Sequence, residues 1–253
     1  YLGRFAYVEI ENENYLSSLN KLIEIIETPK INESSIGTQA LINIGWIYEV
    51  LNYPEKAKIY FQRALERSDI DRTTNLSNFC KLKLAHINLF DFNKVDGAIK
   101  IYKELEDVYK SSNRYHEGVL YGTLGFAYLK IENKKEAFEY MIKSRDFFER
   151  RKDSAFLCIP YTYLTHYYVN QKEYSKAIEN GEIAIKIIED QNLFDARKLI
   201  LLDKLAEAYS AKNDYYRSNQ LLEELNAIKV KLEIKKNSVA FTDNQYEKAI
   251  NEE

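Results

Sequence analysis

The sequence is poor in the residues that interrupt helices and in those that build disulfide frameworks. Among 253 residues there are only 8 Gly, 3 Pro and 2 Cys. With so few helix breakers and 30% charged residues, an all-helical protein is favoured over a sheet protein. Cys80 and Cys158 lie inside helical patterns without the spacing of a metal site. We interpret them as buried thiols of a reducing compartment rather than as a disulfide.

Long apolar runs and excess positive charge are also missing. No stretch of about 18 apolar residues occurs, which excludes a transmembrane helix within this chain. The net charge of -3 and the pI near 5.8 give no basic footprint for nucleic acid or for an acidic membrane. No signal peptide is visible, and we expect a cytoplasmic protein. Because the chain begins at Tyr1 rather than Met, we expect a fragment or a processed form.

What the sequence does contain is a series of small residues that recurs about every 40 positions. The first series is Ala6, Gly45, Ala85, Gly125, Thr165 and Ala206, with steps of 39 to 41 residues. A second series follows at Ser18, Ala57, Ala98, Ala137, Ala177 and Ser218. Since small side chains let two helices cross closely, the two series predict six helical hairpins in tandem.

Larger residues keep the same period around the small positions. Tyr48, Tyr128, Tyr168 and Tyr209 stand three residues after the first series, and we interpret them as structural. The residues predicted to close each hairpin against its neighbour are Leu22, Phe61, Tyr102, Met141 and Leu222. Gly181 takes that place in the fifth unit, which predicts either local looseness or unusually close helix contact. Asn occurs in nearly every turn, where it caps helices and tolerates left-handed backbone.

The second hairpin resembles the tetratricopeptide repeat (TPR). Its segments LINIGWIY (41–48) and AKIYFQRA (57–64) follow the family pattern W-x2-L-G-x2-Y…A-x3-F. The fourth unit, with YGTLGFAY (121–128) and AFEYM (137–141), is similar. The resemblance covers roughly residues 2–235 and implies an all-α, right-handed superhelical solenoid of about six TPR-like hairpins. Units of about 40 residues resemble those of kinesin light chains and of bacterial peptide-pheromone receptors and Rap-type regulators.

The period predicts an array over residues 1–235 and a separate C-terminal segment. The units span about 1–30, 31–70, 71–111, 112–152, 153–192 and 193–235. Residues 236–253 lose the repeat pattern. We expect them to form a helix that caps the last repeat, as solenoids generally need, or else a tail.

The TPR resemblance implies that the first helix of each hairpin lines a concave groove where ligands bind. Residues just after the small positions, one turn earlier, or beside them are therefore the candidate ligand-binding set. This set is Ile42, Asn43, Trp46, Leu82, His86, Thr123, Phe126, Thr162, Tyr163, His166, Asp203 and Glu207. Its middle is aromatic and apolar and its C-terminal end is acidic, which suits an extended peptide or a partner helix. In the alternative interpretation, Trp46 and Phe126 only fill the interior of a tight superhelix.

Signals for catalysis and for cofactors are poor. No His-x3-His pair, glycine-rich phosphate loop or nucleophile elbow occurs. His86 and His166 stand two units apart, too far to share one metal in a regular array. We therefore expect no cofactor, no metal and no enzymatic activity from this chain.

The resemblance leads to a functional hypothesis with one alternative. We expect a protein-binding or peptide-binding TPR domain, the sensory or partner-binding part of a bacterial intracellular regulator. The alternative is a constitutive scaffold or adaptor that holds the parts of a complex together. Direct contact with nucleic acid or membrane is not expected, and a homo-oligomer remains open.

Overall fold

The computed structural model describes residues 14–28, 35–70, 74–110, 115–191, 193 and 198–251, with backbone alone at 69, 70, 115 and 240–251. Within these residues every regular element is a helix. The elements are α1 (Tyr15–Glu27), α2 (Ser35–Val50), α3 (Pro54–Ile70), α4 (Thr74–Phe90), α5 (Val95–Lys110), α6 (Tyr115–Lys130), α7 (Lys134–Arg151), a 3-10 helix (Ser154–Leu157), α8 (Cys158–Asn170), α9 (Tyr174–Asp190), α10 (Leu199–Ala211) and α11 (Tyr215–Asn251). The predicted all-α class is confirmed. The first helix of the first predicted hairpin, with Ala6, lies outside the described residues.

The helices form two compact units. Unit 1 comprises the described residues up to Phe92 and from Val230 onward, and unit 2 comprises Asn93–Lys229. In unit 1, α2 packs against α3, and in unit 2, α6 packs against α7 and α8 against α9. These three pairs correspond to the second, fourth and fifth predicted hairpins. The residues predicted for first helices fall on α2, α4, α6, α8 and α10. The boundaries predicted for the six repeats and for the segment after residue 235 stay predictions.

In four of the hairpins the turn is closed by the same hydrogen bond, which involves one of the recurring tyrosines Tyr48, Tyr128, Tyr168 and Tyr209, here called the framework tyrosines. The backbone N–H of the fifth residue after a framework tyrosine donates to that tyrosine's carbonyl. The pairs are Tyr53 to Tyr48 (2.8 Å), Asn133 to Tyr128 (3.0 Å), Glu173 to Tyr168 (2.9 Å) and Asp214 to Tyr209 (3.0 Å). This is the bond that ends a helix in the Schellman motif, and it requires a left-handed residue in between.

Asparagine takes the left-handed position in only some of these turns. Asn52 and Asn213 do so, with φ of 58° and 64°. In the fourth and fifth hairpins Glu132 and Lys172 hold it instead, with φ of 59° and 60°. In the fourth turn the asparagine, Asn133, stands instead at the N-cap of α7. The closing hydrogen bond and the packing of the two helices outweigh the cost of a left-handed non-glycine residue at Glu132 and Lys172.

Close helix crossings explain the small residues. A Cβ added at Gly125 would lie 2.8 Å from Met141 Cγ and 2.9 Å from the Ala137 carbonyl oxygen. At Gly45 a Cβ would lie 3.0 Å from the Phe61 ring. Real Cβ contacts are essentially never shorter than 3.0 Å, so at Gly125 the two helices pack closer than any larger residue allows.

Gly181 lies at an unusually close helix contact, the second of the two outcomes predicted for it. A Cβ there would lie 2.6 Å from Leu205 Cδ1. The position is therefore a close contact between α9 and α10 rather than a loose one. In the sixth unit the expectation is wrong by one residue, since Leu221 is buried and Leu222 is 37% exposed.

The framework tyrosines make the same ring contact two repeats apart. Tyr48 stacks on Tyr60 with centroids 5.4 Å apart, and Tyr128 stacks on Tyr140 at 5.6 Å, both with an interplanar angle of 19°. Offset-stacked rings at this distance stabilise an interface beyond the area they bury. This repetition supports a structural role for these tyrosines.

A buried carboxylate joins helices within unit 2. Glu106, 7% exposed, lies 3.0 Å from Lys103 Nζ and 3.3 Å from Lys110 Nζ, and the Tyr140 hydroxyl donates to it at 3.2 Å. Burial alone would raise the pKa of Glu106, but the two lysines hold it below its usual range. The group is thus an ionised core residue that depends on its partners.

The last helix runs without interruption past residue 235, where the array was predicted to end. Val239 is fully buried and belongs to the hydrophobic core of unit 1. That core is otherwise built from Tyr15 and from apolar residues of α1 to α4.

Candidate functional site

The predicted site residues lie on first helices, and each unit carries its own set. Patch 1, in unit 1, consists of Ile42, Asn43 and Trp46 on α2 with Leu82 and His86 on α4. Patch 2, in unit 2, consists of Thr123 and Phe126 on α6, Thr162, Tyr163 and His166 on α8, and Asp203 and Glu207 on α10.

Most members of patch 1 are covered by their neighbours. Ile42, Asn43 and Leu82 are buried, and the Asn43 side-chain oxygen accepts a hydrogen bond from Gln39 Nε2 at 3.1 Å. Trp46 is half-buried against the core of unit 1. Of the predicted residues in this patch, Trp46 and the partly exposed His86 are the ones that a ligand can reach.

Sequence reasoning missed the residue that organises patch 1. The Glu49 carboxylate on α2 lies 2.7 Å from Lys83 Nζ and 3.0 Å from His86 Nδ1, both on α4. Burial alone would raise the pKa of Glu49, but the charges of Lys83 and His86 lower it to about 2. Glu49 stands one turn after Trp46 on the same helix, and this spacing is the signal that could have identified it.

Patch 2 brings together rings from two consecutive first helices. The Phe126 ring lies 5.0 Å from that of Tyr163 and meets His166 edge-on at 5.3 Å with an interplanar angle of 84°. Lys130 Nζ lies 5.9 Å from the Phe126 centroid, a distance at which the ring face attracts a cation. Phe126 and Tyr163 are buried and His166 is half-buried.

His166 extends this contact to the third helix of the row. Its Nε2 lies 2.5 Å from the carbonyl oxygen of Ile200 on α10, and since a carbonyl only accepts, Nε2 carries the proton. Burial lowers the pKa of His166 to about 4. At neutral pH the imidazole is therefore uncharged, with Nδ1 as a hydrogen-bond acceptor.

The remaining members of patch 2 divide between the interior and the solvent. Thr123 and Thr162 are buried, and the Thr123 hydroxyl donates to the Val119 carbonyl of its own helix at 3.0 Å. Asp203 and Glu207 are exposed, and Lys204 Nζ lies 2.5 Å from the Glu207 carboxylate. The threonines thus form the floor of the patch, and the acidic residues form its rim.

Comparison with known proteins now identifies the fold. Residues 38–70 match the tetratricopeptide repeat family model. The chain is similar in structure to a Rap protein complexed with Competence and Sporulation Factor (TM-score 0.69, 18% identity, 91% of this chain and 74% of that chain). It is also similar to the apo form of RapI (0.63, 15%, 92% and 97%). A Podosopora anserina putative kinesin light chain with nearly identical TPR-like repeats is a further neighbour (0.51, 16%, 77% and 95%). A search of curated proteins gives no match.

The chain has the TPR fold. The predicted resemblance to Rap proteins and to kinesin light chain-like TPR proteins is confirmed. At 15 to 18% identity these neighbours establish the fold and nothing about a particular ligand. TPR folds generally serve as protein-interaction scaffolds.

The TPR scaffold carries a further concavity that the sequence did not predict. An open cleft of about 550 Å³ in unit 2 is lined by Glu117, Tyr121, Lys143, Asp146, Glu149 and Arg150. Its walls mix both signs of charge, and the Tyr121 hydroxyl donates to Glu117 at 2.9 Å. No residue of patch 2 lines this cleft.

The described residues contain neither a metal-binding cluster nor a helix that could cross a membrane. No group of three or more His, Cys, Asp or Glu side chains among these residues is arranged to hold a metal ion. None of the described helices is both long enough and apolar enough to cross a bilayer.

Proposed function

We propose that this chain is a non-catalytic TPR domain that binds a protein or peptide, the partner-binding or sensory part of a bacterial intracellular regulator. The observation that carries the proposal is the row formed by three consecutive first helices in unit 2. Phe126 on α6 contacts His166 on α8, which in turn contacts the Ile200 carbonyl on α10. Residues of three neighbouring first helices are thus in contact along one row, which we call the strip.

The chemistry of this strip suits an extended peptide. The half-buried His166 presents an aromatic edge and a neutral acceptor nitrogen, which matches a peptide N–H. Lys130 beside Phe126 and the exposed carboxylates of Asp203 and Glu207 provide charge at the rim. A buried aromatic centre, here Phe126 and Tyr163, with a polar rim is the usual composition of a peptide-recognition surface.

In unit 1 the proposed contacts are the Trp46 ring and the Glu49–Lys83–His86 group. The three charged or polar side chains hold one another in place within 3.0 Å, so little ordering is needed when a ligand binds. Buried members of both patches, such as Ile42 and Thr123, support these residues rather than touch the ligand.

The regulatory part of the proposal draws on a structural neighbour. The Rap protein of that structure is complexed with Competence and Sporulation Factor. By analogy, binding to the present chain shifts the population of its conformations and thereby biases an attached output domain.

A constitutive scaffold is the second candidate, and the burial of the patches favours it. Phe126 is only 8% exposed, so its ring also satisfies the interpretation in which the aromatics merely fill the interior. In that case a partner binds elsewhere and is insensitive to substitutions in the patches.

Selection from a random peptide library separates the two candidates. The immobilised wild-type chain is used for selection, and selected peptides are then tested by fluorescence anisotropy against Trp46→Ala, Phe126→Ala and the control Phe138→Ala. Phe138 is a half-buried aromatic of the second helix α7, and its ring packs against Tyr167 and Tyr168. Phe138→Ala therefore removes an aromatic packing contact without removing a side chain of either patch. The proposal predicts at least about tenfold weaker binding to a patch variant than to the control. Equal binding to all variants would support the scaffold, and failure to enrich any peptide would refute peptide recognition.

A further inference from the structure

One surface of unit 1 is already occupied by a helix of the same chain. From Val230 onward α11 belongs to unit 1, and Val239 is fully buried in the core of that unit. Lys235 Nζ lies 5.3 Å from the Tyr15 ring centroid, and Lys236 Nζ lies 4.8 Å from that of Tyr53. These contacts join the C-terminal segment to the start of α1 and to the turn between α2 and α3.

The contact has a definite chemistry. Two adjacent lysines lie over two tyrosine rings, and an aliphatic residue one turn later enters the apolar core. Lys56 Nζ also lies 5.9 Å from the Tyr53 ring centroid. The Tyr53 ring is therefore within cation–π distance of two lysines, Lys56 and Lys236. Tyr15 is 3% exposed, so its ring is almost completely covered in the folded chain.

The segment is held along one side only. Val230 and Ile234 are 60% and 66% exposed, and Val239 is the buried residue among the described side chains of 230–239. A helix with a single buried anchor has few contacts to lose when it leaves its surface. The exposed apolar residues show that the rest of its circumference faces solvent.

We propose that Tyr15, Tyr53 and the apolar core beneath Val239 form a docking surface for a basic amphipathic helix, and that residues 230–239 occupy this surface in cis. The pattern that the surface recognises is Lys-Lys-x-x-aliphatic, as in Lys235 to Val239. A partner helix with this pattern docks by displacing the chain's own segment. The surface shares no residue with patch 1 or patch 2, so the proposal does not depend on the function proposed for them.

Occupation of the docking surface by the chain's own segment should weaken the binding of a separate helix. Because residues 230–239 continue the uninterrupted helix α11, they compete intramolecularly, at a high effective concentration, with any added helix. The apparent affinity of an added helix is therefore reduced by the fraction of chains whose surface is free. Releasing the tethered segment should increase that affinity at least about tenfold.

The test compares two identical substitutions on the full chain. Val239→Asp places a charge in the core of unit 1, whereas Val230→Asp, on the same helix, changes a residue that is 60% exposed. The probe is a fluorescein-labelled synthetic peptide with the sequence of residues 226–245, followed by anisotropy. We expect the Val239→Asp chain to bind it at least about tenfold more tightly than the wild-type and Val230→Asp chains do. A peptide that carries Val239→Asp itself should not bind.

A second variant protects the test against misfolding. If Val239→Asp loses its helical circular dichroism, the double variant Lys235→Glu, Lys236→Glu replaces it. These two changes remove the contacts to Tyr15 and Tyr53 and add no charge to the core. Hydrogen exchange should then accelerate at the start of α1 in the released chain and stay unchanged in Val230→Asp. Equal peptide binding by released and wild-type chains, or no binding by a folded released chain, would overturn the proposal.

Discussion

Gly125 offers a direct test of the close helix crossing on which each hairpin depends. A Cβ at this position would lie 2.8 Å from Met141 Cγ, 2.9 Å from the Ala137 carbonyl oxygen and 3.0 Å from the Met141 backbone nitrogen. The methionine side chain can move aside, but the two backbone atoms belong to α7 and move only with that helix. Gly125→Ala must therefore push α6 and α7 apart.

The size of the effect follows from two opposed contributions. Overpacking of a tight interior costs about 1–3 kcal/mol. Ala has a higher helix propensity than Gly, which raises the free energy of unfolding by about 1 kcal/mol. Since two of the three closest contacts are with backbone atoms, we expect a net loss of about 1–2 kcal/mol in the free energy of unfolding of Gly125→Ala.

Gly97 provides the matched control. It lies in the first turn of α5, and a Cβ there would meet nothing within 4 Å. With no overpacking, Gly97→Ala keeps only the gain in helix propensity and should be more stable than wild type by about 0.5–1 kcal/mol. The same substitution in the same unit is thus expected to change stability in opposite directions.

Urea unfolding followed by circular dichroism at 222 nm gives the midpoint for both variants. Because repeat proteins can unfold in parts, hydrogen exchange at the amides of α6 and α7 should locate the loss in that hairpin. The reasoning is refuted if Gly125→Ala is as stable as wild type, or if Gly97→Ala is destabilised to the same extent.

Three further predictions concern charged groups. Because the folded-state pKa of Glu49 is lowered from 4.5 to about 2, its carboxylate stabilises the fold fully above about pH 4.5 and loses this contribution as pH falls toward 2. Glu49→Gln should therefore flatten stability-against-pH curves in that window, and an unchanged slope would contradict the lowered pKa. His166 should titrate near pH 4 in an NMR titration, and a midpoint near 6.5 would show that burial does not control it. Glu106→Ala should lower the free energy of unfolding by about 1–2 kcal/mol, because it leaves the buried Tyr140 hydroxyl without its acceptor. Asp107→Ala, whose side chain is 92% exposed, should change it little.

The C-terminal segment shows how a local pattern can miss a long-range contact. Residues after 235 depart from the repeat, and the sequence predicts a cap or a tail there. Nothing in the local pattern relates Val239 to Tyr15, since the two are separated by most of the chain. The burial of Val239 in unit 1 depends on where the last helix runs, which is a property of the tertiary structure.

The candidate site was predictable in position but not in composition. The period placed Phe126 and His166 at equivalent positions of neighbouring first helices, and their rings are in contact. The same period gave no information about Glu49, because its importance arises from Lys83 and His86 on another helix. A buried carboxylate is recognised only when the groups that neutralise it are known.

The sequence by itself determined the helical class, the 40-residue period and the close crossings, because each depends on local spacing and on the size of single side chains. Positions 125 and 181 require glycine because atoms of a neighbouring helix lie too close to the place where a Cβ would be. Tertiary structure alone decided which turn residue became left-handed, as at Glu132, and which polar groups were buried together. It also decided that the final helix covers Tyr15 and Tyr53. These outcomes depend on contacts between residues far apart in the chain. The 40-residue period of the sequence does not predict such contacts.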